Sequence, residues 1–485
     1  MAPKRISLAL PRPQYVPQPE ALISALAWKL LRVDPVENES GQSSEIPMEK
    51  DPGGKPIGLL YRTGGGTSKL VKIKATIPTG ERLHRFTLEL NKAGLQIAGA
   101  HEKLSAAVLN SLDGVRVEKS GSQPASPLSP TIALLQNMRG VLGTKGPPDV
   151  AGIIELMFAL GAGTESSSLG ASRLWLRASN HRMEVDPLLN ALDVAVNHSV
   201  LGSPRQDPEA LKGGLPTFIG DDASDYSGTP FDWFATSWLR LTSDEWVEAL
   251  PARVWVDWAT TILRLAIGLG YLWECSWNEA IARSVLKSGT ESWDEIRSGV
   301  QTILPWRSSR SGKVALDVAP LLISRVNTSE EIRAIFTAWF ALNGATEGDF
   351  DETMVLMSLD QGLRQRLTEA LGSDSPSNSG VNLWEAIKYT LKTRETSEGQ
   401  ADYYGLLQSS GRYLTVNPGT EWIAVIASLS CGKPGASTDV GSLMTDFERM
   451  GMRPELSDLI ALLERAGLAR GSADADEGVI VESAF

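Results

Sequence analysis

Apolar residues recur at helical spacing through most of this chain. Between residues 132 and 415 the intervals i, i+3, i+4 and i+7 return repeatedly, the mark of helices with one buried face. They predict helices over 132–142, 150–161, 186–198, 233–250, 252–274, 276–287, 292–303, 329–343, 351–371 and 381–394. RLWLRAS (173–179) reads as a short strand. Long polar loops are expected at 162–172, 201–230 and 372–380. Within 252–274, Trp255, Trp258, Ile262, Ala266, Leu269 and Trp273 form one stripe, with Asp257, Thr261, Arg264 and Gly268 opposite.

The N-terminal part has a different rhythm. A helix is expected over 18–33, followed by a polar loop at 34–56. IGLLYRT, KLVKIKATIP, HRFTLEL and GLQIAGA then read as an antiparallel β meander. Val71, Ile73, Ala75 and Ile77 face one way, and Lys72, Lys74 and Thr76 the other. Phe86, Leu88 and Leu90 likewise oppose Arg85, Thr87 and Glu89. KSGSQPASPLSPT (119–131) has the Ser/Pro composition of a linker. The expected organisation is an α+β module over 1–118, a linker over 119–131 and a helical body over 132–416.

From about Asn417 the pattern shortens. EWIAVIASL, TDVGSLMTDFERMG and RPELSDLIALLERAG give three helices, the last with Pro454 near its start and Gly467 just past its end. Leu456, Leu459, Ile460 and Leu463 mark its expected core face. LARGS, the turn ADADEG and VIVES form a hairpin. Three helices and a hairpin over 417–485 resemble the winged-helix family. The fold class is therefore mainly α and multidomain: the α+β module, the helical body and a winged-helix-like end.

The resemblance implies a third helix presented to the DNA major groove, usually with basic or amide residues. Here the outward face is expected to carry Glu455, Asp458, Leu462 and Arg465. The wing carries Asp474, Asp476 and Glu477. From Glu421 onward there are 5 basic and 11 acidic residues. Phosphates are repelled by such a surface, so these seven residues are candidates for docking a partner protein instead.

The whole chain of 485 residues carries a net charge of −12, unevenly distributed. Residues 1–150 hold 19 Lys and Arg against 13 Asp and Glu. The excess lies between Lys55 and Lys92, where eight cations meet two acids. Arg62, Lys69, Lys72, Lys74 and Arg85 of this stretch are candidate phosphate contacts. Arg307, Arg310 and Lys313, in PWRSSRSGK, are candidates in a loop. The bland alternative is that strand lysines protect a sheet from aggregation. Nine of the fourteen tryptophans fall between Trp233 and Trp306. Helical spacing places them in a core. An aromatic groove beside Arg240, Arg253, Arg264 and Arg307 is the alternative.

Strong catalytic signatures are missing. RTGGGTSKL lacks Walker spacing and precedes a strand, so it reads as a hairpin turn. His84, His101, His181 and His198 are scattered, and Cys275 and Cys431 are 156 residues apart in sequence. Neither a disulfide framework nor a metal site is expected, and no cofactor. HEKLSAAV begins like an HxK phosphodiesterase motif but ends at Val108. GDDASDYSG (220–228) and EGDFDE (347–352) read as solvated acidic loops. The stretch WVDWATTILRLAIGLGYLW carries Asp257 and Arg264 and reads as a buried helix, not a membrane span. Two cysteines and no visible targeting segment point to the cytoplasm. The expected function is a non-catalytic scaffold or adaptor subunit of a bacterial multiprotein assembly linked to DNA, in defence or DNA processing. Its partners would be other protein subunits, with nucleic acid as a further candidate and no membrane. A divergent metal-dependent nuclease or nucleotide hydrolase, using Asp221 or Asp351, is one alternative. A winged-helix transcriptional regulator is another.

Overall fold

A computed structural model describes residues 4–13, 16, 19–30, 59–61, 70–72, 80–92, 101–112, 116–117, 121–122, 127–134, 150–163, 169–196, 225–300, 302–306, 316–343, 350–372, 380–393, 402–471 and 478–485. The N-terminal elements are α1 (Pro19–Leu30), β1 (Leu59–Tyr61), β2 (Leu70–Lys72), α2 (Gly80–Lys92), α3 (His101–Leu112), β3 (Arg116–Val117) and β4 (Gly121–Ser122). The body follows as α4 (Pro130–Leu134), α5 (Val150–Gly161), α6 (Ala171–Val185), α7 (Pro187–Val196), α8 (Pro230–Leu241), α9 (Asp244–Ala249) and α10 (Ala252–Lys287). It continues with α11 (Trp293–Gly299), α12 (Ala319–Asn343), α13 (Phe350–Leu359), α14 (Gln361–Gly372), α15 (Val381–Leu391), β5 (Leu407–Ser410) and β6 (Tyr413–Val416). The last elements are α16 (Thr420–Ser430), β7 (Ser437–Asp439), α17 (Val440–Arg449), α18 (Leu456–Ala466), β8 (Ala469–Gly471) and β9 (Val479–Glu482). The chain is mainly helical, with small antiparallel sheets towards its two ends.

The centre of the fold is α10, 36 residues long and so about 54 Å from end to end. Pro251 separates it from α9, and Gly289, at φ +66°, follows its C-terminus. Both the tryptophan stripe and the face opposite it are buried, including Thr261, Arg264 and Gly268. A helix buried all round must be covered on every side. Here α1, α5, α8, α12 and α15 supply the cover. All nine tryptophans between Trp233 and Trp306 are core residues. Trp175 stacks on Trp255 at 3.9 Å, Trp273 on Trp277 at 5.3 Å, and Trp277 meets Trp293 at 4.5 Å. Buried indole N–H groups need acceptors. Trp238 donates to the Ala171 carbonyl, Trp255 to that of Leu241 and Trp246 to that of Gly432.

Several expectations are corrected. HRFTLEL lies in helix α2, not in a strand, so the meander reduces to the β1–β2 hairpin among the described residues. GLQIAGA lies outside them. RLWLRAS lies within α6. The 252–274 and 276–287 segments are one helix, and 351–371 breaks at Asp360 into α13 and α14. The stretch 119–131 is not free of structure: β4 pairs with β3, and Ser129 and Thr131 are buried. The Thr131 amide donates to Asp193 at 2.8 Å. Ile6, Leu8, Leu10 and the inner face of α1 belong to the same core as the body tryptophans, although they were expected in a separate module.

The β5–β6 hairpin was not foreseen. It turns on two residues, with Gly411 at φ +58°. Beyond it, α16, α17 and α18 pack beside a three-stranded antiparallel sheet of order β7–β9–β8. Strand β7 was also unforeseen. It precedes α17 directly, and Asp439 caps that helix by accepting from the Ser442 amide at 2.9 Å.

Candidate functional site

The sequence candidates do not assemble into one site. Lys72 lies in β2 and Arg85 in α2, so the expected basic sheet face holding Lys72, Lys74 and Arg85 together is corrected. Arg62, Lys69, Lys74, Arg307, Arg310 and Lys313 lie outside the described residues, as do Asp474, Asp476 and Glu477. On α18 the expected outward face is rotated. Asp458 and Leu462 are buried, Glu455 is half-buried and Arg465 is exposed. The core face is Leu459, Leu462 and Leu463, while Leu456, Ser457 and Glu464 point to solvent. Of the expected stripe, Leu459 and Leu463 are in the core, whereas Leu456 is exposed, Ile460 is half-buried and Leu462 takes the remaining core position.

The remaining chemistry-bearing residues are structural. Arg240 donates to the Leu429 carbonyl, and Arg253 pairs with Asp257 at 2.9 Å. Arg264 pairs with Asp402 through its two terminal guanidinium nitrogens, at 2.9 and 3.0 Å. Neither set is an aromatic groove for bases. Cys275 and Cys431 are free thiols. Burial pushes the Cys275 thiol up to about 12 and that of Cys431 up to about 11, so both are poor nucleophiles at neutral pH. Asp351 sits exposed in the first turn of α13, and Asp221 lies outside the described residues. Among the described residues no cluster of three His, Cys, Asp or Glu side chains can hold a metal. No described helix is long and apolar enough to cross a membrane.

A cleft of about 320 Å³ opens between the segment leading into β5 and the start of α16. Asp402, Tyr403, Gln408, Asn417, Glu421 and Arg465 contribute to its wall. Arg264 reaches out of α10 to fix this wall, donating also to the carbonyls of Thr390 and Lys392. Gly405 lets the wall close on Thr393, since a Cβ there would lie 2.4 Å from the Thr393 Cα. The Thr420 hydroxyl donates to Glu421 at 2.9 Å. Burial first, then the charges of Asp257 and Glu421, push the neighbouring Tyr404 hydroxyl up to about 12. The cleft offers donors and acceptors of both signs. Asp402 is already committed to Arg264.

A second surface is apolar. On α13, Phe350, Thr353, Met354 and Met357 face the core at i, i+3, i+4 and i+7. Val355, Leu356 and Leu359 are left outside, the last 72% exposed. Leu342, near the end of α12, is 80% exposed. The Trp339 indole donates to Asp360 at 2.9 Å, which ties that end of α12 to the α13–α14 junction. Asp360 also accepts from the Leu363 amide, and that bond and the indole hold its carboxyl below the usual range. Leu342 follows Trp339 on α12 and Leu359 precedes Asp360, one on each side of this tie. The sequence signal was present, because α13 is apolar on more than one face, but nothing local says which face is covered.

The chain matches no known protein family and no curated protein.

Proposed function

We propose that this chain is a non-catalytic scaffold subunit that docks partner proteins. The observation that carries the reading is the exposed apolar corner of α13, formed by Val355, Leu356 and Leu359, with Leu342 also exposed near the end of α12. Exposed apolar side chains gathered in one place mark protein contact sites more often than isolated ones do. Behind this corner stands a core stiffened by stacked tryptophans, which suits a body that presents surfaces without changing shape.

The C-terminal order helix, strand, helix, helix, strand, strand supports the winged-helix reading. In that reading α18 is the presented helix. Its outer face carries Ser457, Glu464 and Arg465 beside Leu456, a mixed surface suited to protein and unsuited to phosphate. Contact with nucleic acid is assigned to the other end of the chain, on the strength of eight cations against two acids between Lys55 and Lys92.

Affinity purification from the native host, with the wild type and a Leu356→Glu/Leu359→Glu variant, tests this. Subunits recovered with the wild type should be lost from the variant, with its thermal midpoint unchanged. Recovery of the wild type alone, as a monomer without nucleic acid, sinks the proposal. A gel-shift series at two salt concentrations separates the two ends. Lys72→Glu/Lys74→Glu should weaken nucleic-acid binding and flatten its salt dependence.

A further inference from the structure

Residues 4–13 have no regular secondary structure, yet they lie along the body with alternate side chains turned into it. Ile6, Leu8 and Leu10 are buried at alternate positions, 5%, 3% and 0% exposed. The groove that receives them is made by α10 and α12, and it is held together independently of the strap. The Asn278 amide on α10 donates to the Ser329 hydroxyl on α12 at 3.0 Å.

The contacts to this strap form a recognition set for an extended peptide. Trp277 donates to the Ile6 carbonyl at 3.0 Å, and the Tyr271 hydroxyl donates to the Pro11 carbonyl. Glu274 accepts the Leu10 amide at 3.1 Å through one oxygen and the Arg12 guanidinium through the other. Arg12 also donates to Glu330 at 2.9 Å and lies over the Tyr271 ring, 5.5 Å from its centre. Burial works against the Arg12 charge, but Glu274 and Glu330 together more than offset it and hold the guanidinium above its usual range. Glu274 is wholly buried. Arg333 of α12 gives the groove one cation of its own, acting on Glu274 and lying 4.0 Å from Glu330, and Arg12 supplies the directly hydrogen-bonded partner of the buried Glu274. Arg333 donates to the Leu10 carbonyl at 3.5 Å, so three backbone carbonyls, one amide, alternate apolar pockets and an arginine site make the set that reading a peptide requires.

Residues 11–19, from the end of the strap to the first residue of α1, include Pro11, Pro13, Pro17 and Pro19, and between them Val16 is buried in the core. Proline has no N–H, so four of these nine positions cannot donate to the body. The inner face of α1 is itself buried in the core, so loss of the strap leaves that helix anchored. We propose that the α10–α12 groove is a recognition site for an extended, arginine-bearing segment of a partner protein. Here it is filled by the chain's own residues 4–13, which leave and rebind as a unit while the body stays folded. The partner segment would carry apolar residues at alternate positions, with arginine two residues beyond the last.

Two measurements test this on the full chain. In native-state amide exchange of the wild type, Leu10 should exchange at least about tenfold faster than Trp273, by local opening. Exchange of Leu10 only together with Trp273 overturns the proposal, and this arm decides alone if variants fail to fold. In fluorescence anisotropy, a labelled peptide of residues 1–16 should bind the Arg12→Ala chain at least about tenfold more tightly than the wild type. The same peptide carrying Arg12→Ala should not bind. Absence of saturable binding, or equal binding by the two peptides, overturns the proposal. A wild-type dimer that forms with concentration and dissolves with excess peptide would put a second copy's strap in the groove, and would overturn the assignment to a partner.

Discussion

Arg264 sits in the middle of α10 with its guanidinium fully engaged. It bonds both Asp402 oxygens and the carbonyls of Thr390 and Lys392, and its side chain is 4% exposed. Removing one partner of such a pair strands the other charge in the interior. Arg264→Ala should therefore cost about 3–5 kcal/mol in urea unfolding. A loss under 1 kcal/mol would mean that Asp402 reaches water by another route. The sequence pattern reads this region as core, and only the alternative reading set Arg264 beside Arg240, Arg253 and Arg307 in a groove for bases. Its true partner is 138 positions away, and no local pattern points to it. His181 is the opposite case, a surface group with a readable consequence. Its ring meets Glu248 at 3.0 Å and Glu184 at 3.5 Å. Burial alone would lower its pKa, but Glu248, Asp244 and Glu184 overcome that and raise it. A raised folded pKa means stability that is complete below the unfolded value of about 6.5 and lost as pH rises through the folded one. The wild type should exceed His181→Gln in melting temperature at pH 5.5 by more than at pH 8.5. A gap independent of pH would exclude the charge of His181 as its cause.

At the scale of elements, HRFTLEL shows why a two-residue rhythm can mislead. Phe86, Leu88 and Leu90 alternate, but Leu83, Phe86, Thr87 and Leu90 also fit i, i+3, i+4 and i+7. Exposure decides between them. Phe86, Thr87 and Leu90 are buried, while Leu88 is 43% exposed. The longer body helices were legible because their pattern spans several turns. Strands β5, β6 and β7 were not, being three or four residues long, too short for any period; β8 and β9 are as short and were read from the turn ADADEG between them. The exposed corner was missed for a related reason, because coverage of a helix face depends on helices far away in sequence. Glycine carries a similar tertiary signal. Gly161 ends α5 where it crosses α8, and a Cβ there would lie 1.9 Å from the Phe231 carbonyl oxygen. That neighbour is backbone and cannot swing aside. Gly161→Ala should cost about 1–3 kcal/mol or more through forced separation of the two helices. Stability gained through better helix propensity would show instead that the crossing has slack.

Across the whole molecule, the change of rhythm near Asn417 reads in the sequence as a boundary between folding units. The core runs straight through it. Trp306 meets Trp422 and Phe447, and Phe485 meets Trp258 of α10. Arg449 of α17 grips Asp232 of α8 through two nitrogens, at 2.9 and 3.1 Å. The amides of Ile303 and Leu304 both donate to the Gly451 carbonyl. A unit joined by aromatic packing, a two-pronged ion pair and backbone hydrogen bonds is expected to unfold together with its neighbour. In guanidinium titrations, tryptophan fluorescence reports mainly the body, where nine of the fourteen tryptophans lie between Trp233 and Trp306. Amide exchange of Leu459 and Leu463 reports α18. The two transitions should share one midpoint. Asp232→Ala should shift both together, since Arg449 then loses the carboxylate it holds across the junction. Separate midpoints, or movement of the α18 transition alone, would restore an independent C-terminal domain. If the transitions coincide, deleting 417–485 exposes Trp246, Trp258 and Trp306 and damages the body, so loss of binding in that truncation cannot be assigned to the C-terminal end. The role of that end is then read from Leu456→Glu and Arg465→Glu, which change its outer surface and leave the shared core intact.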